Sequence, residues 1–194
     1  MSEVIVDTLT HSGNSGTANV TLASNGNVTV AGALSAGSFV GSFGLFTSYA
    51  LLEDRKSSGT AGGTATSGDW YTRDLNTEIA DPDSIVSISS NKFTLGAGNY
   101  LIKWRCPFYR TEYTQTRLYD VTNSAVIRDG QSTYLHHTDD GAYTLPGIGR
   151  VTPTGSTEYR IEYRCSATKN TVGLGYDATF DNEVYTQVEI YKEA

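Results

Sequence analysis

Two cysteines, one methionine, two tryptophans and four prolines are spread over 194 residues. Two cysteines do not make the disulfide framework of a small secreted domain, so stability has to come from a core or from oligomerisation. No uninterrupted apolar stretch approaches the ~20 residues that cross a bilayer, which argues against membrane insertion. No cationic start followed by an apolar run resembles a signal peptide, and the expectation is a soluble chain with no visible export address. Positive charge is also scarce, with 14 Lys and Arg against 21 Asp and Glu and a net charge of −7. That balance argues against nucleic acid as a partner. The 38% hydrophobic content is too high for a disordered chain, and the 20 glycines lack the one-in-three period of collagen.

What is present is unevenly distributed. Before Glu53 the only charged side chains are Glu3 and Asp7, and the first 44 residues hold 7 Gly, 7 Ser and 5 Thr. All 13 tyrosines lie at position 49 or later. The composition therefore breaks near residues 41 to 45, into an arm of residues 1–44 and an aromatic-rich body of residues 45–194. In the arm, Val20 and Leu22, Val28 and Val30, and Leu34 alternate with small polar residues around Asn25, Gly26 and Asn27. This reads as a hairpin or short successive strands, with those five apolar residues as anchor candidates. A flexible linker has the same Gly/Ser/Thr richness. Such strands expose edges and bury little, so they need copies of themselves or a partner.

The body reads as strands throughout, over residues 45–53, 70–75, 85–89, 92–95, 100–108, 116–121, 125–128, 145–152, 157–165 and 184–192. Short strands separated by turns indicate an all-β two-sheet sandwich or jelly roll. Alternation assigns the faces. Ile102, Trp104, Cys106 and Phe108 point in, opposite Leu101, Lys103 and Arg105. Tyr159, Ile161, Tyr163 and Cys165 point in, opposite Arg160, Glu162 and Arg164. The last strand is expected to bury Val184, Thr186, Val188 and Ile190 and to turn out Tyr185, Gln187, Glu189 and Tyr191.

Residues 45–53 depart from this logic. Phe46, Ala50 and Leu52 share one face, while Leu45, Tyr49 and Leu51 make the other apolar as well. A second apolar face meets another subunit, or is covered by the arm of its own chain.

The run Phe93-Thr-Leu-Gly-Ala-Gly-Asn-Tyr100 resembles the F-x-L-x-x-G-x-Y signature of the jelly rolls typified by tumour necrosis factor and the complement globular heads. Trp70 to Asn76, Ile85 to Ile88, Arg117 to Thr122 and Glu183 to Ile190 are similar to a pattern in bacteriophage virion proteins that carry this fold. The resemblance covers roughly residues 65–192. It implies a homotrimer packed around a threefold axis as a virion appendage, assembled in the host cytoplasm. The arm would then attach to other virion proteins. If the last strand lies beside residues 100–108, as the resemblance implies, Glu189 faces Lys103 or Arg105, with Arg160, Glu162 and Arg164 one strand further. The trimer-interface candidates are then Leu45, Tyr49, Leu51, Lys103, Arg105, Tyr185, Glu189 and Tyr191. The resemblance also implies that the strands of Cys106 and Cys165 are neighbours. A bridge is open to them, but a protein folding in a reducing cytoplasm favours free buried thiols.

No catalytic constellation emerges: G-x-S-x-G, a P-loop, H-E-x-x-H and a helix-opening G-x-G-x-x-G are all missing. Ser166-Ala-Thr-Lys169 matches S-x-x-K without its companion motifs. His136 and His137 with Asp139 and Asp140 form a ligand-like cluster, but without a second pair at zinc-like spacing it reads as an exposed loop. Asp81 with Asp83, and Asp177 with Asp181 and Glu183, read as surface turns and not as calcium loops. Asn19 and Asn27 head N-x-T triplets that read as β-turns. Neither metal nor cofactor is expected. The aromatic loops around Trp70, Tyr113, Tyr134, His136, His137 and Tyr143 are candidates for a host-surface glycan or protein, since aromatics beside Asp, Asn and Thr suit sugar stacking with hydrogen bonding. The leading expectation is a non-enzymatic tail fibre, spike or capsid decoration. A host-recognition lectin is the alternative, and a polysaccharide depolymerase stands third.

Overall fold

Alternating β-branched and aromatic residues make strands, and in the computed structural model every regular element among the described residues is a strand. The structure describes Thr8–Leu9, Val20–Leu22, Val28–Val30, residues 45–134, His136 and residues 141–194. The chain divides after Gly41 into two units. In the first, β1 (Thr8–Leu9), β2 (Val20–Leu22) and β3 (Val28–Val30) form an antiparallel three-stranded sheet, with Val20 opposite Val30 and Leu22 opposite Val28. Leu34 lies outside the described residues.

The second unit is a jelly-roll sandwich of two antiparallel sheets. One sheet runs in the order β12 (Ala142–Val151), β9 (Tyr100–Tyr109), β14 (Glu183–Glu193), β4 (Phe46–Lys56), β6 (Thr77–Ala80). The other runs β11 (Ala125–Thr133), β10 (Thr114–Asp120), β13 (Thr157–Cys165), β8 (Lys92–Leu95), β7 (Val86–Ser89), with β5 (Tyr71–Thr72) paired to β13. Between them Leu52, Phe93, Leu95, Tyr100, Ile102, Trp104, Phe108, Leu118, Ile161 and Ile190 are almost fully buried. Each such side chain contributes roughly 1.5–3 kcal/mol. Trp104 ties the two sheets together by donating its indole N–H to Thr116 Oγ1 at 2.9 Å. Gly147 lies directly opposite it on β12, where a Cβ would stand 2.0 Å from the indole ring. Buried Arg73 crosses the same core, donating to Thr186 Oγ1 and the Leu174 carbonyl above the Phe108 ring.

Four expectations are corrected. β13 lies in the opposite sheet from β9, so Arg160, Glu162 and Arg164 do not extend the Lys103 and Arg105 face. For the same reason Cys106 and Cys165 are on strands of different sheets; both are buried and free. Glu162 is 1% exposed instead of outward, its carboxylate held by Arg117 Nε at 2.5 Å and Arg160 Nε at 2.7 Å. Finally, a bulge between Val184 and Gln187 shifts the parity of β14. Tyr185 turns inward, 5% exposed, with its hydroxyl donating to the Thr60 carbonyl at 2.8 Å, while Val184 faces out.

Candidate functional site

The outward face of the five-stranded sheet is built by register. Ile148, Lys103, Glu189 and Leu51 align across β12, β9, β14 and β4. The next row is Arg150, Leu101, Tyr191 and Tyr49, and the one on the other side is Pro146, Arg105, Gln187 and Glu53. Cross-strand neighbours of this kind interact directly. Arg105 Nη2 donates to Glu189 Oε1 at 2.9 Å, and the Tyr191 hydroxyl donates to Glu189 Oε2 at 2.7 Å. That hydrogen bond to the carboxylate, with burial behind it, pushes the Tyr191 phenol up to about 12. Gln187 Nε2 donates to Glu53 Oε1 at 2.8 Å, and Arg150 makes a two-pronged contact with Glu193.

A second irregularity of β14, between Lys192 and Glu193, brings Phe46 to this face, where its ring centroid lies 5.1 Å from that of Tyr191. Tyr49 is also 5.1 Å from Tyr191, and Lys103 Nζ sits 5.2 Å over the Tyr191 ring. Of the face candidates, Tyr49, Leu51, Lys103, Arg105, Glu189 and Tyr191 fall together, with Leu45 at the rim, 83% exposed. Tyr185 does not join them, having turned into the core. The residues that sequence reasoning missed are Phe46, Leu101 and Ile148. Leu101 had been placed outward by alternation, but its row became legible only with the register of four strands.

At one end of the sandwich Leu45 and Ala194 meet, the Ala194 N–H donating to the Leu45 carbonyl. β4 rises 11 residues away from this pole, about 36 Å at most. At the far pole Gly68, Tyr113 and Ser166 are joined by backbone hydrogen bonds, Gly68 N–H to the Cys165 carbonyl and Ser166 N–H to the Tyr113 carbonyl. A cleft of about 560 Å³ opens there, lined by Trp70, Tyr113, Gln115, Thr133, Arg164 and Ser166 among others. The tilted rings of Tyr113 and Tyr134 have centroids 4.5 Å apart, and the Arg117 guanidinium lies 4.0 Å from the Trp70 ring. Thus Trp70, Tyr113 and Tyr134 come together. His136 is exposed, and His137 lies outside the described residues. Tyr143 is directed elsewhere: its ring stacks on Phe108 and its hydroxyl bonds Thr111 at 2.6 Å and Thr114 at 2.8 Å. Arg164 was missed because it reads as an ordinary outward strand residue, and Gln115 because it lies one position before the expected strand of residues 116–121.

Nearby, the buried Glu183 carboxylate accepts the N–H groups of Gly59, Ala178 and Thr179 at 2.9 to 3.1 Å. These bonds hold its carboxyl below the usual range. Among the described residues no three His, Cys, Asp or Glu side chains gather as a metal site.

No family model matches the chain, and no curated protein matches it. Solved structures do. The crystal structure of murine APRIL at pH 5.0 aligns with a TM-score of 0.50 at 8% identity, covering 75% of this chain and 98% of that one. The globular domain of zebrafish complement 1qA aligns with a TM-score of 0.48 at 12% identity, covering 74% and 95%. The Eiger TNF of S. frugiperda aligns with a TM-score of 0.48 at 11% identity, covering 76% and 94%. The chain shares with APRIL the jelly-roll fold.

Proposed function

We propose that this chain is a non-enzymatic, self-associating virion appendage, a homotrimer that displays its jelly-roll body and is held to the particle by its N-terminal arm. The observation that carries the reading is the outer face of the five-stranded sheet. Its rows combine apolar and aromatic side chains with charges of which Arg105, Glu189 and Arg150 are already paired within the chain, a composition suited to subunit contact. The resemblance of the body to bacteriophage proteins supports the virion context. The two poles support the division of labour, because the chain enters the body at Leu45 and the aromatic loops lie at the other end. A tail fibre, a spike and a capsid decoration are all served by this plan.

The test is native mass by sedimentation equilibrium, together with the protein content of particles from cells producing the chain. Three chains per complex, and the chain present in purified particles, are expected. A monomer at micromolar concentration overturns the self-association, and particles lacking the chain overturn the virion role.

A second reading, recognition of a surface saccharide by the loop pole, is favoured by one observation, the cleft beside Trp70 and Tyr113. Both rings offer flat faces of the kind that sugars stack on.

A further inference from the structure

The cleft at the loop pole has a chemistry that goes past its aromatics. At about 560 Å³ it falls within the ~300–1,000 Å³ range of small-molecule sites, with room for one or two sugar rings. Its lining combines the aromatic rings of Trp70 and Tyr113 with the polar groups of Gln115, Ser132, Thr133 and Ser166. Among the described residues Arg164 is the one charged side chain that lines it. On a protein with a net charge of −7, these residues place a guanidinium beside a row of hydroxyl groups.

The recess is held open by the fold. Ser67 N–H donates to Thr168 Oγ1 at 3.0 Å, Thr66 N–H donates to the Tyr163 hydroxyl at 3.1 Å, and Tyr113 N–H donates to Ser166 Oγ at 3.1 Å. Ser166 Oγ in turn donates to Glu112 Oε2 at 3.2 Å, which ties that carboxylate to the wall. Arg164 projects from β13 opposite Gln115 of β10, so a central strand sets its position. Its neighbours on the same sheet show what an arginine does here when a carboxylate is present: Arg117 and Arg160 both close on Glu162. Arg164 has no ion pair of this kind among the described residues. Guanidinium is a planar donor fork that matches a carboxylate.

We infer that the cleft is a binding site for a carboxylated saccharide, of the uronic-acid type. Arg164 takes the carboxylate, Trp70 and Tyr113 take the ring faces, and Gln115, Ser132 and Thr133 take the hydroxyls. This rests on the saccharide-recognition reading and adds to it the charge of the sugar.

The experiment is calorimetric titration of the full chain with a glucuronic-acid oligosaccharide and with its carboxyl-reduced, neutral counterpart. The expected result is binding of the acidic sugar, with affinity lower by about tenfold or more for the neutral one, a factor worth ~1.4 kcal/mol. Arg164→Gln, a surface change that leaves the core intact, is expected to erase the difference between the two sugars. Arg128→Gln, an exposed arginine on β11 away from the cleft, is expected to preserve it. Equal binding of both sugars, unchanged by Arg164→Gln, overturns the carboxylate assignment while saccharide recognition stands. No binding of either sugar at millimolar concentration overturns both.

Discussion

Glu189→Lys tests the self-association face most directly. In the isolated body the substitution removes the Arg105 ion pair, whose arginine side chain is 54% exposed, which is worth ~0.2–1 kcal/mol after solvent screening. It also places a lysine directly opposite Lys103, adding a like-charge penalty of ~0.2–1 kcal/mol, and it takes the acceptor from the half-buried Tyr191 hydroxyl. Together these come to about 1–2 kcal/mol, or a fall of roughly 2–8 °C in the Tm of a domain this size. In a closed trimer the same charges lie where water is excluded. An uncompensated charge there costs ~3–5 kcal/mol, and it recurs at three copies. The loss to association is then about 9–15 kcal/mol, enough to dissociate the complex at micromolar concentration. Sedimentation equilibrium reads the mass and calorimetry reads the Tm. Glu189→Gln keeps an acceptor for Tyr191 and inverts no charge but leaves Arg105 without its carboxylate, and it is expected to weaken association less than Glu189→Lys. A Glu189→Lys protein that still sediments as three chains refutes the placement of this face in an interface.

Gly147→Ala drives a methyl to 2.0 Å from the Trp104 ring and is expected to cost at least ~3 kcal/mol in denaturant unfolding; a loss under ~1 kcal/mol would show that the indole moves freely. Glu183→Gln probes the loop clasp through pH. The carboxyl of Glu183 is held below its ordinary value of 4.5, so its contribution is present above that pH and fades as pH falls through the lowered value. The stability gap between wild type and Glu183→Gln is therefore expected to shrink below about pH 4.5, and a gap constant from neutral to strongly acidic pH would refute the clasp. Burial pushes the thiols of Cys106 and Cys165 up to about 11. Both are expected to resist alkylation in the native protein and to react on unfolding, and rapid native labelling of either would contradict their burial.

Much of the sandwich was legible because its long strands alternate cleanly. In β9, Ile102, Trp104, Cys106 and Phe108 are all buried, as the period of two demands. Pairing was harder to read, since which strand neighbours which depends on contacts between residues far apart in the chain. That is why Arg160, Glu162 and Arg164 were assigned to the wrong sheet, and why Glu162, with the outward parity of a surface acid, is enclosed by two arginines. Bulges defeated parity at Tyr185 and Phe46, since one extra residue reverses the side chains on one side of it relative to those on the other and leaves no mark in the alternation. The cleft was half visible. Trp70 and Tyr113 stand out by type, whereas Arg164 gains its meaning only from the recess in front of it.

The grip of Glu183 also bears on how this molecule can be altered. One carboxylate at the foot of β14 secures Gly59, Ala178 and Thr179, while Phe180, 89% exposed, protrudes beyond them. Closure of the loop is thus delegated to its stem, and its crest is left without structural duties. Residues 180–182 are exposed, so substitutions there are expected to cost the fold little, and a foreign peptide grafted there is expected to find a ready-made support.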